Sequence, residues 1–223
     1  MFMTTILGID EAGRGPVIGP MVVAGVMIDE KDHEKLKAIG VKDSKMLSPR
    51  QRARMYPQIK KIAKDYVILR ITAKEIDKMM KEKNLNIIEA EKMAEIIKTM
   101  KADRAYIDAP QVSTEKFKNI LLAMAKNHTE IIAENKADVK YPVVSAAAIL
   151  AKVERDKEIE EIKKKVGFDF GVGYSHDERS REFVSKCLKD KKCLEYIRHS
   201  WVTVDDLKNK KEQKTLKAYK RNK

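Results

Sequence analysis

The chain has little cysteine and few aromatic residues. Cys187 and Cys193 are its two cysteines, six positions apart in a lysine-rich stretch. This spacing matches neither a disulfide framework nor a zinc site, so we predict two reduced thiols. Aromatic residues make up 6% of the 223 residues. Together with the strong positive charge, this scarcity argues against a glycosidase-type pair of carboxylates, because such sites stack sugars on aromatic rings.

Long apolar runs, targeting signals and repeats are also missing. Every apolar run is interrupted by charge before the roughly 18–20 residues that a spanning helix needs. The N-terminus lacks a basic stretch followed by an apolar core and a cleavage site. We therefore expect a soluble, cytoplasmic protein. No fixed-period repeat and no proline-rich or glycine-serine linker divides the chain.

The charge balance is strongly positive. Lys and Arg number 47 against 34 Asp and Glu, which gives a net charge of +13 and a pI near 9.5. Such a balance favours polyanionic partners, nucleic acid before a membrane surface. Residues 207–223 hold eight basic residues and one acid, a balance of +7, so more than half of the net charge lies in this C-terminal tail.

Strand and helix patterns alternate along the chain, as in an α/β fold. The predicted strands cover residues 6–9, 21–28, 66–72, 104–108 and 129–134. The predicted helices cover about 48–65, a stretch from 72, 86–101, 113–127 and 142–165, with two more after 174 and 202. Ser48 with Pro49, the capping-box spacing from Thr72 to Glu75, and Asn86 are the predicted helix starts.

Acids follow the apolar strands at three places. Asp10 and Glu11 follow the first strand, Asp108 ends the fourth, and Asp138 comes after the fifth. A buried carboxylate without a partner costs several kcal/mol, so a positive group should meet these acids, either Arg14 or a metal ion. If their strands are neighbours, Asp10 and Asp108 lie roughly 5 Å apart at the carboxyl end of the sheet.

A set of carboxylates without histidine or cysteine is typical of a site for Mg²⁺ or Mn²⁺. Two such ions about 4 Å apart support displacement at phosphorus, which indicates a phosphodiesterase. Consecutive strand residues point to opposite faces, so Asp10 and Glu11 both reach a metal only if the chain bends at once, as Gly13 and Gly15 allow. The alternative is that these acids are solvated and pair with Arg14 or Lys136.

Several strings of residues resemble those of one family. In chain order they are GIDEAGRGP at 8–16, KDSK at 42–45, YID at 106–108, NKAD at 135–138, VVSAA at 143–147 and KVERD at 152–156. They are similar to ribonuclease HII, and most to its archaeal members. The resemblance implies a ribonuclease H-like mixed five-stranded sheet flanked by helices. Residues 1–170 would form the catalytic core and 171–223 a helical C-terminal segment with a basic tail.

The resemblance also implies an activity. The protein would be a metal-dependent endonuclease that cuts the RNA strand of RNA/DNA hybrids, or cuts at single ribonucleotides embedded in duplex DNA, leaving 3′-hydroxyl and 5′-phosphate ends. Asp10, Glu11, Asp108 and Asp138 would be the catalytic, metal-binding acids, with Mg²⁺ or Mn²⁺ in a two-ion mechanism.

Substrate-binding residues are implied in the same way. Gly13, Arg14, Gly15 and Tyr174 would surround the ribose at the cleavage junction, where the 2′-hydroxyl separates RNA from DNA. Lys45 and Arg198 are predicted phosphate contacts. Ser175 stands where the family usually has proline, so the loop that carries Tyr174 is expected to be more mobile.

The tail adds a candidate partner. Gln213, Leu216 and Tyr219 match part of the pattern of sliding-clamp-binding peptides, although Lys220 takes the place of a second aromatic residue. The alternative is a basic tail that only grips phosphate. The protein is expected to be a monomer that acts on hybrids and on ribonucleotide-containing duplexes.

Two other functions stay open at this point. One is a different nuclease, integrase or resolvase on the same fold, since a carboxylate cluster does not specify a substrate. The other is a non-catalytic basic nucleic-acid-binding protein, in which the acids are incidental. Ribose dependence tests the first alternative, and metal-dependent cleavage tests the second.

Overall fold

A computed structural model describes residues 4–41, 46–109 and 113–209 of the chain. The strands are Thr5–Ala12 (β1), Met21–Asp29 (β2), Asp65–Ile71 (β3), Arg104–Asp108 (β4) and Glu130–Glu134 (β5). They form one five-stranded sheet in the order β3-β2-β1-β4-β5. The strand β1 pairs antiparallel with β2 and parallel with β4, and β4 pairs parallel with β5. The sheet is therefore mixed, as predicted.

Helices make up much of the remaining described chain. They are His33–Ala38 (α1), Pro49–Ile62 (α2), Ala73–Met79 (α3), Leu85–Met100 (α4), Thr114–Ala125 (α5), Ala137–Lys140 (α6), Pro142–Val166 (α7), Glu178–Asp190 (α8) and 202–209 (α9). Within the three described ranges, no helix combines the length and apolarity needed to cross a membrane.

The predicted helix starts are confirmed at two places and wrong at a third. Ser48 and Thr72 each form a capping box, with Gln51 and Glu75 at the third helical position. The cap of α4 is Asn84 rather than Asn86, because the Asn84 side chain accepts a hydrogen bond from the Ile87 amide. Asn86 lies inside the first turn. Two asparagines two positions apart offer the same local signal, and the chain uses the earlier one.

The chain divides into two compact units. Among the described residues, the first comprises 4–12, 21–41, 46–70, 83–109 and 113–156, and the second comprises 13–20, 71–82 and 157–209. Each unit has its own cluster of buried apolar side chains: Val22, Val26 and Val144 belong to that of the first, and Phe170 and Phe183 to that of the second. The functional boundary predicted at residue 170 stays a prediction.

The strand β1 lies between β2 and β4, and Ile6 to Ile9 are buried. This burial explains why the strand reads as a continuous apolar run. Gly8 allows α7 to approach the sheet closely, since a Cβ at this position would lie within 3.0 Å of backbone atoms of Val143 and Val144. Because strand side chains alternate, Asp10 lies on the same face of β1 as Gly8, the face that α7 covers.

Candidate metal centre and recognition loop

Asp10 and Asp108 come from neighbouring parallel strands. The register of β1 and β4 pairs Ile9 with Ile107, one residue before each aspartate. Both carboxylates therefore emerge at the same carboxyl edge of the sheet, where parallel strands commonly place functional groups. The condition on which the sequence argument depended, that these two strands are neighbours, is met.

Asp138 reaches the same place from a short helix. It lies in the first turn of α6, which follows β5 after Lys136, a residue in the left-handed conformation with φ 59°. The Ala137 amide donates a hydrogen bond of 2.8 Å to Oδ1 of Asp108. This bond ties the end of β4 to the helix that carries Asp138. The third acid is therefore carried by a short helix and not by the end of a strand.

The three aspartates form a compact group of carboxylates. One oxygen from each of Asp10, Asp108 and Asp138 can be chosen so that all three lie within 4.8 Å of one another. Asp10 is 4% exposed and Asp138 is 1% exposed. A dense, largely buried set of oxygen donors fits a hard divalent cation such as Mg²⁺ or Mn²⁺.

Glu11 is not a member of this group of three. The ladder between β1 and β2 continues to the pair Ala12 and Val22, so Glu11 is still a strand residue. The immediate bend that would let both Asp10 and Glu11 reach one metal is not present at this point of the strand. The turn begins at Gly13, which has φ 80°. Alternation along the strand therefore directs Glu11 to the face opposite Asp10. Its backbone amide donates a 2.7 Å hydrogen bond to Oδ1 of Asp10.

The electrostatics of Asp10 favour a bound cation. Burial is the main cause that raises the pKa of the Asp10 carboxyl well above its usual value, and the nearby charges of Glu11 and Asp108 raise it further. The positive charge of Lys152 acts in the opposite direction. A divalent ion would offset both the burial and the repulsion, because it holds the carboxylates in their charged form.

Lys152 is the site residue that sequence reasoning missed. It lies on α7, at the end of the apolar stretch 143–151, and its charge acts on Asp10. The signal in the sequence was a single cation that ends a nearly continuous apolar run. A lysine in that position must find solvent or an anion, since burying an unpaired ammonium is costly.

The second unit contains the glycine loop, residues 13–20, and Tyr174. The amides of Val17 and Ile18 donate to the Gly173 carbonyl at 2.9 and 3.2 Å, which fixes the segment before Tyr174 against the glycine loop. A Cβ placed on Gly15 would lie 3.4 Å from Cε1 of Tyr174, so the ring packs along this loop. The structure brings Gly15 and Tyr174 together as the prediction requires.

Arg198 is placed differently from its prediction. Its side chain is fully buried, and its guanidinium donates to the carbonyls of Gly13, Arg14 and Gly19 at 2.6, 2.8 and 3.0 Å. These contacts direct the positive charge toward the carbonyls of the glycine loop. We therefore assign Arg198 the role of holding this loop, in place of the predicted contact with phosphate. Arg14 itself is partly exposed.

Four predicted residues lie outside the described ranges. They are Lys45, the candidate phosphate contact, and Gln213, Leu216 and Tyr219 of the tail. Their proposed roles therefore stay predictions from the sequence.

Comparison with known proteins agrees with this geometry. The family model for Ribonuclease HII matches residues 7–204. Ribonuclease HII of Pyrococcus furiosus is 45% identical over 219 residues, which cover 95% of this chain and 96% of that protein. The crystal structure of ribonuclease H2 from Pyrococcus horikoshii OT3 matches with a TM-score of 0.86 and 40% identity, covering 93% of this chain and 98% of that one.

A further solved structure is the complex of PCNA with the RNase HII of Archaeoglobus fulgidus. It matches with a TM-score of 0.82 and 42% identity, covering 91% of this chain and 96% of that one. These similarities extend over nearly the whole chain and confirm the ribonuclease H-like fold. The chain therefore belongs to the ribonuclease HII family, endoribonucleases that act on RNA/DNA hybrids.

Proposed function

We propose that this protein is a metal-dependent endonuclease that cuts the RNA strand of hybrids and also cuts at single ribonucleotides embedded in duplex DNA. It leaves a 3′-hydroxyl and a 5′-phosphate. The observation that carries this proposal is the group formed by Asp10, Asp108 and Asp138, whose oxygens lie within 4.8 Å of one another.

These three aspartates would hold Mg²⁺ or Mn²⁺, and Glu11 would complete the set of acids after a local adjustment of the strand end. A bound divalent cation supplies the positive charge that stabilises negative charge developing on phosphate oxygens. The protein contributes the fixed positions of its carboxylates through the β1–β4 register and through the hydrogen bond from Ala137 to Asp108. Positions fixed before the substrate binds need little rearrangement during reaction.

The glycine loop would recognise the ribose. The amides of residues 13–15 can approach a sugar closely because two of these residues have no side chain. The Tyr174 ring, packed beside Gly15, would lie against the same sugar. A 2′-hydroxyl both donates and accepts hydrogen bonds, so backbone groups suffice to distinguish ribose from deoxyribose.

The direct test uses duplex DNA that contains one ribonucleotide. With Mg²⁺ or Mn²⁺ we expect one incision, with a 3′-hydroxyl on one product and a 5′-phosphate on the other, because three carboxylates need a cation to bind a phosphodiester. With EDTA we expect no product. Mapping of labelled ends by electrophoresis and mass spectrometry measures both outcomes.

The matched control is the same duplex without the ribonucleotide. Incision of all-DNA duplex at a similar rate would contradict ribose recognition and favour another nuclease on this fold. Binding of both duplexes without cleavage in any divalent cation would favour a non-catalytic nucleic-acid-binding protein.

We also propose that the tail binds a sliding clamp through Gln213, Leu216 and Tyr219. The relative from Archaeoglobus fulgidus, solved in a complex with PCNA, supports this proposal. Leu216 and Tyr219 are three positions apart, so on a helical turn they share one face and can enter an apolar groove.

Two double variants separate clamp binding from phosphate binding. Leu216→Ala with Tyr219→Ala should remove binding to the cognate clamp and leave hybrid affinity unchanged, since it removes apolar anchors and no charge. Lys217→Ala with Lys220→Ala should keep clamp binding and flatten the salt dependence of hybrid affinity, by a slope of about 0.9 for each phosphate that these lysines neutralise. Titrations with the clamp, and with hybrid at several salt concentrations, measure these effects. Unchanged clamp binding by the Leu216 and Tyr219 variant would leave only the electrostatic role.

A further inference from the structure

The three carbonyl groups of the recognition residues Gly13, Arg14 and Gly15 all accept hydrogen bonds from two side chains near the C-terminus. The Arg198 guanidinium donates to Gly13 at 2.6 Å and to Arg14 at 2.8 Å. The Trp201 indole Nε1 donates to the Gly15 carbonyl at 3.0 Å. We call Arg198 and Trp201 the loop anchor.

The loop anchor is itself held in place. The Arg198 amide donates to the Val17 carbonyl at 2.9 Å, and the guanidinium carbon lies 4.8 Å from the centre of the Trp201 ring. Between the two anchor residues, the amides of His199 and Ser200 donate to the Asp77 carboxylate at 2.7 and 2.9 Å. The two donors therefore approach the loop from a fixed segment.

The orientation of these carbonyls determines the orientation of two amides. In a planar trans peptide, the C=O and the next N–H point in opposite directions, and the described chain has no cis peptide bond. The carbonyls of Gly13 and Arg14 point toward Arg198, so the N–H groups of Arg14 and Gly15 point away from it. Pro16 follows Gly15 and has no N–H, so the Gly15 carbonyl orients no amide.

The geometry points to Arg198 and Trp201 as positioning residues: Arg198 sets the direction in which the Arg14 and Gly15 amides face the ribose, and Trp201 holds the Gly15 carbonyl and the Arg198 guanidinium in place. This inference rests on the proposed ribose recognition and goes beyond it, because it assigns specificity to two residues through their hydrogen bonds to the loop backbone. The guanidinium suits this role, since its planar fork bonds several carbonyls at once. Trp201 adds the bond to Gly15 and packs against the guanidinium.

The sharpest variant is Trp201→Phe, which keeps an aromatic ring and removes the N–H that bonds Gly15 together with part of the indole ring. The measurement is the affinity of the protein for duplex DNA with and without one ribonucleotide, in EDTA so that cleavage does not interfere. The ratio of the two affinities should fall by about fivefold, as expected for one hydrogen bond, while the affinity for all-DNA duplex stays unchanged. Arg198→Lys keeps the charge but loses the planar fork, and should reduce the ratio by at least about tenfold.

Two controls separate positioning from general stability. Phe183 lies in the apolar cluster of the same unit, and Phe183→Leu should lower the melting temperature without changing the affinity ratio. Arg179→Gln removes a guanidinium that bonds Asp169 and Asp177 and no loop carbonyl, and should also keep the ratio.

The outcomes distinguish this inference from the proposed function. If the parent neither prefers nor cuts the ribonucleotide duplex, the proposed function fails. If the parent prefers it and Trp201→Phe keeps the full preference, the proposed function stands and the positioning role is wrong. A loss of preference in Phe183→Leu equal to that in Trp201→Phe would likewise overturn the positioning role.

Discussion

Asp10→Asn should reduce cleavage of a hybrid by about 1000-fold or more while hybrid affinity in EDTA changes little. The substitution preserves size and removes the charge of a central carboxylate, and a loss of about 4 kcal/mol of transition-state stabilisation corresponds to this factor. Affinity depends instead on Lys and Arg contacts with phosphate. Single-turnover cleavage in Mg²⁺ and in Mn²⁺, together with a binding titration, measures the two effects.

The same substitution should stabilise the metal-free protein at neutral pH. The pKa of Asp10 is raised by burial and by its acidic neighbours, so above the ordinary value of 3.8 the unfolded carboxyl ionises while the folded one keeps its proton. The stability of the parent therefore falls as pH rises through this window, whereas the stability of the Asp10→Asn variant does not depend on this carboxyl. Thermal unfolding from pH 3 to pH 8 should show the advantage of the variant growing above about pH 4.

Divalent cations provide the internal check. Mg²⁺ or Mn²⁺ should stabilise the parent more than the variant, because only the parent holds the full set of carboxylates. Asp206→Asn, at an exposed acid of α9, is the matched control and should change neither cleavage nor unfolding. Cleavage by Asp10→Asn at a rate near that of the parent would contradict the metal centre.

Gly8→Ala should lower the free energy of unfolding by about 3 kcal/mol or more. A methyl group on Gly8 would lie within 3.0 Å of the backbone of Val143 and Val144, and a backbone cannot rotate away as a side chain can. The strand β1 would have to move relative to α7, and Asp10, two residues further along the same face, would move with it. Denaturant unfolding followed by circular dichroism gives the stability, and the hybrid cleavage assay reports the displacement of Asp10.

Gly25→Ala is the matched control within the same sheet. A methyl group there would meet side chains: Ile96, Met100 Sδ at 3.2 Å and Leu7 Cδ1 at 3.3 Å. Because side chains change rotamer, we expect a loss of about 1–2 kcal/mol and a smaller effect on cleavage. Equal losses at both positions would show that the backbone approach at Gly8 is not specially constrained.

Local signals predicted much of the fold. The capping boxes at Ser48 and Thr72 involve residues three positions apart, so their chemistry is complete within one turn of chain. Asp108 at the end of a short apolar strand, and the helix start at Pro142, were predicted for the same reason. Local signals were insufficient where two neighbouring residues offered the same chemistry, as Asn84 and Asn86 do.

The site residues that follow strands were predictable from the sequence. The site contacts that depend on segments distant in the chain were not. Adjacent acids in the sequence suggested a shared role for Asp10 and Glu11. For Glu11 this role stays a prediction, because pairing continues to Ala12 and side chains of consecutive strand residues alternate between the two faces. Lys152 acts on Asp10 from 142 positions away in the chain. A pattern of neighbouring residues cannot predict an interaction between residues so far apart in the chain.

The sequence by itself determined the strand and helix pattern, the acids at strand ends, the positive charge and the family of this protein. These follow from hydrophobic periodicity, helix capping and motif strings, all of which involve residues that are close together in the chain. Only the tertiary structure decided that Asp138 meets Asp108 through a one-turn helix, and that Arg198 bonds carbonyls of Gly13 and Arg14 instead of facing phosphate. The partners of a buried charge depend on which segments fold against it, and chain folding brings residues 13 and 198 together without any periodic signal.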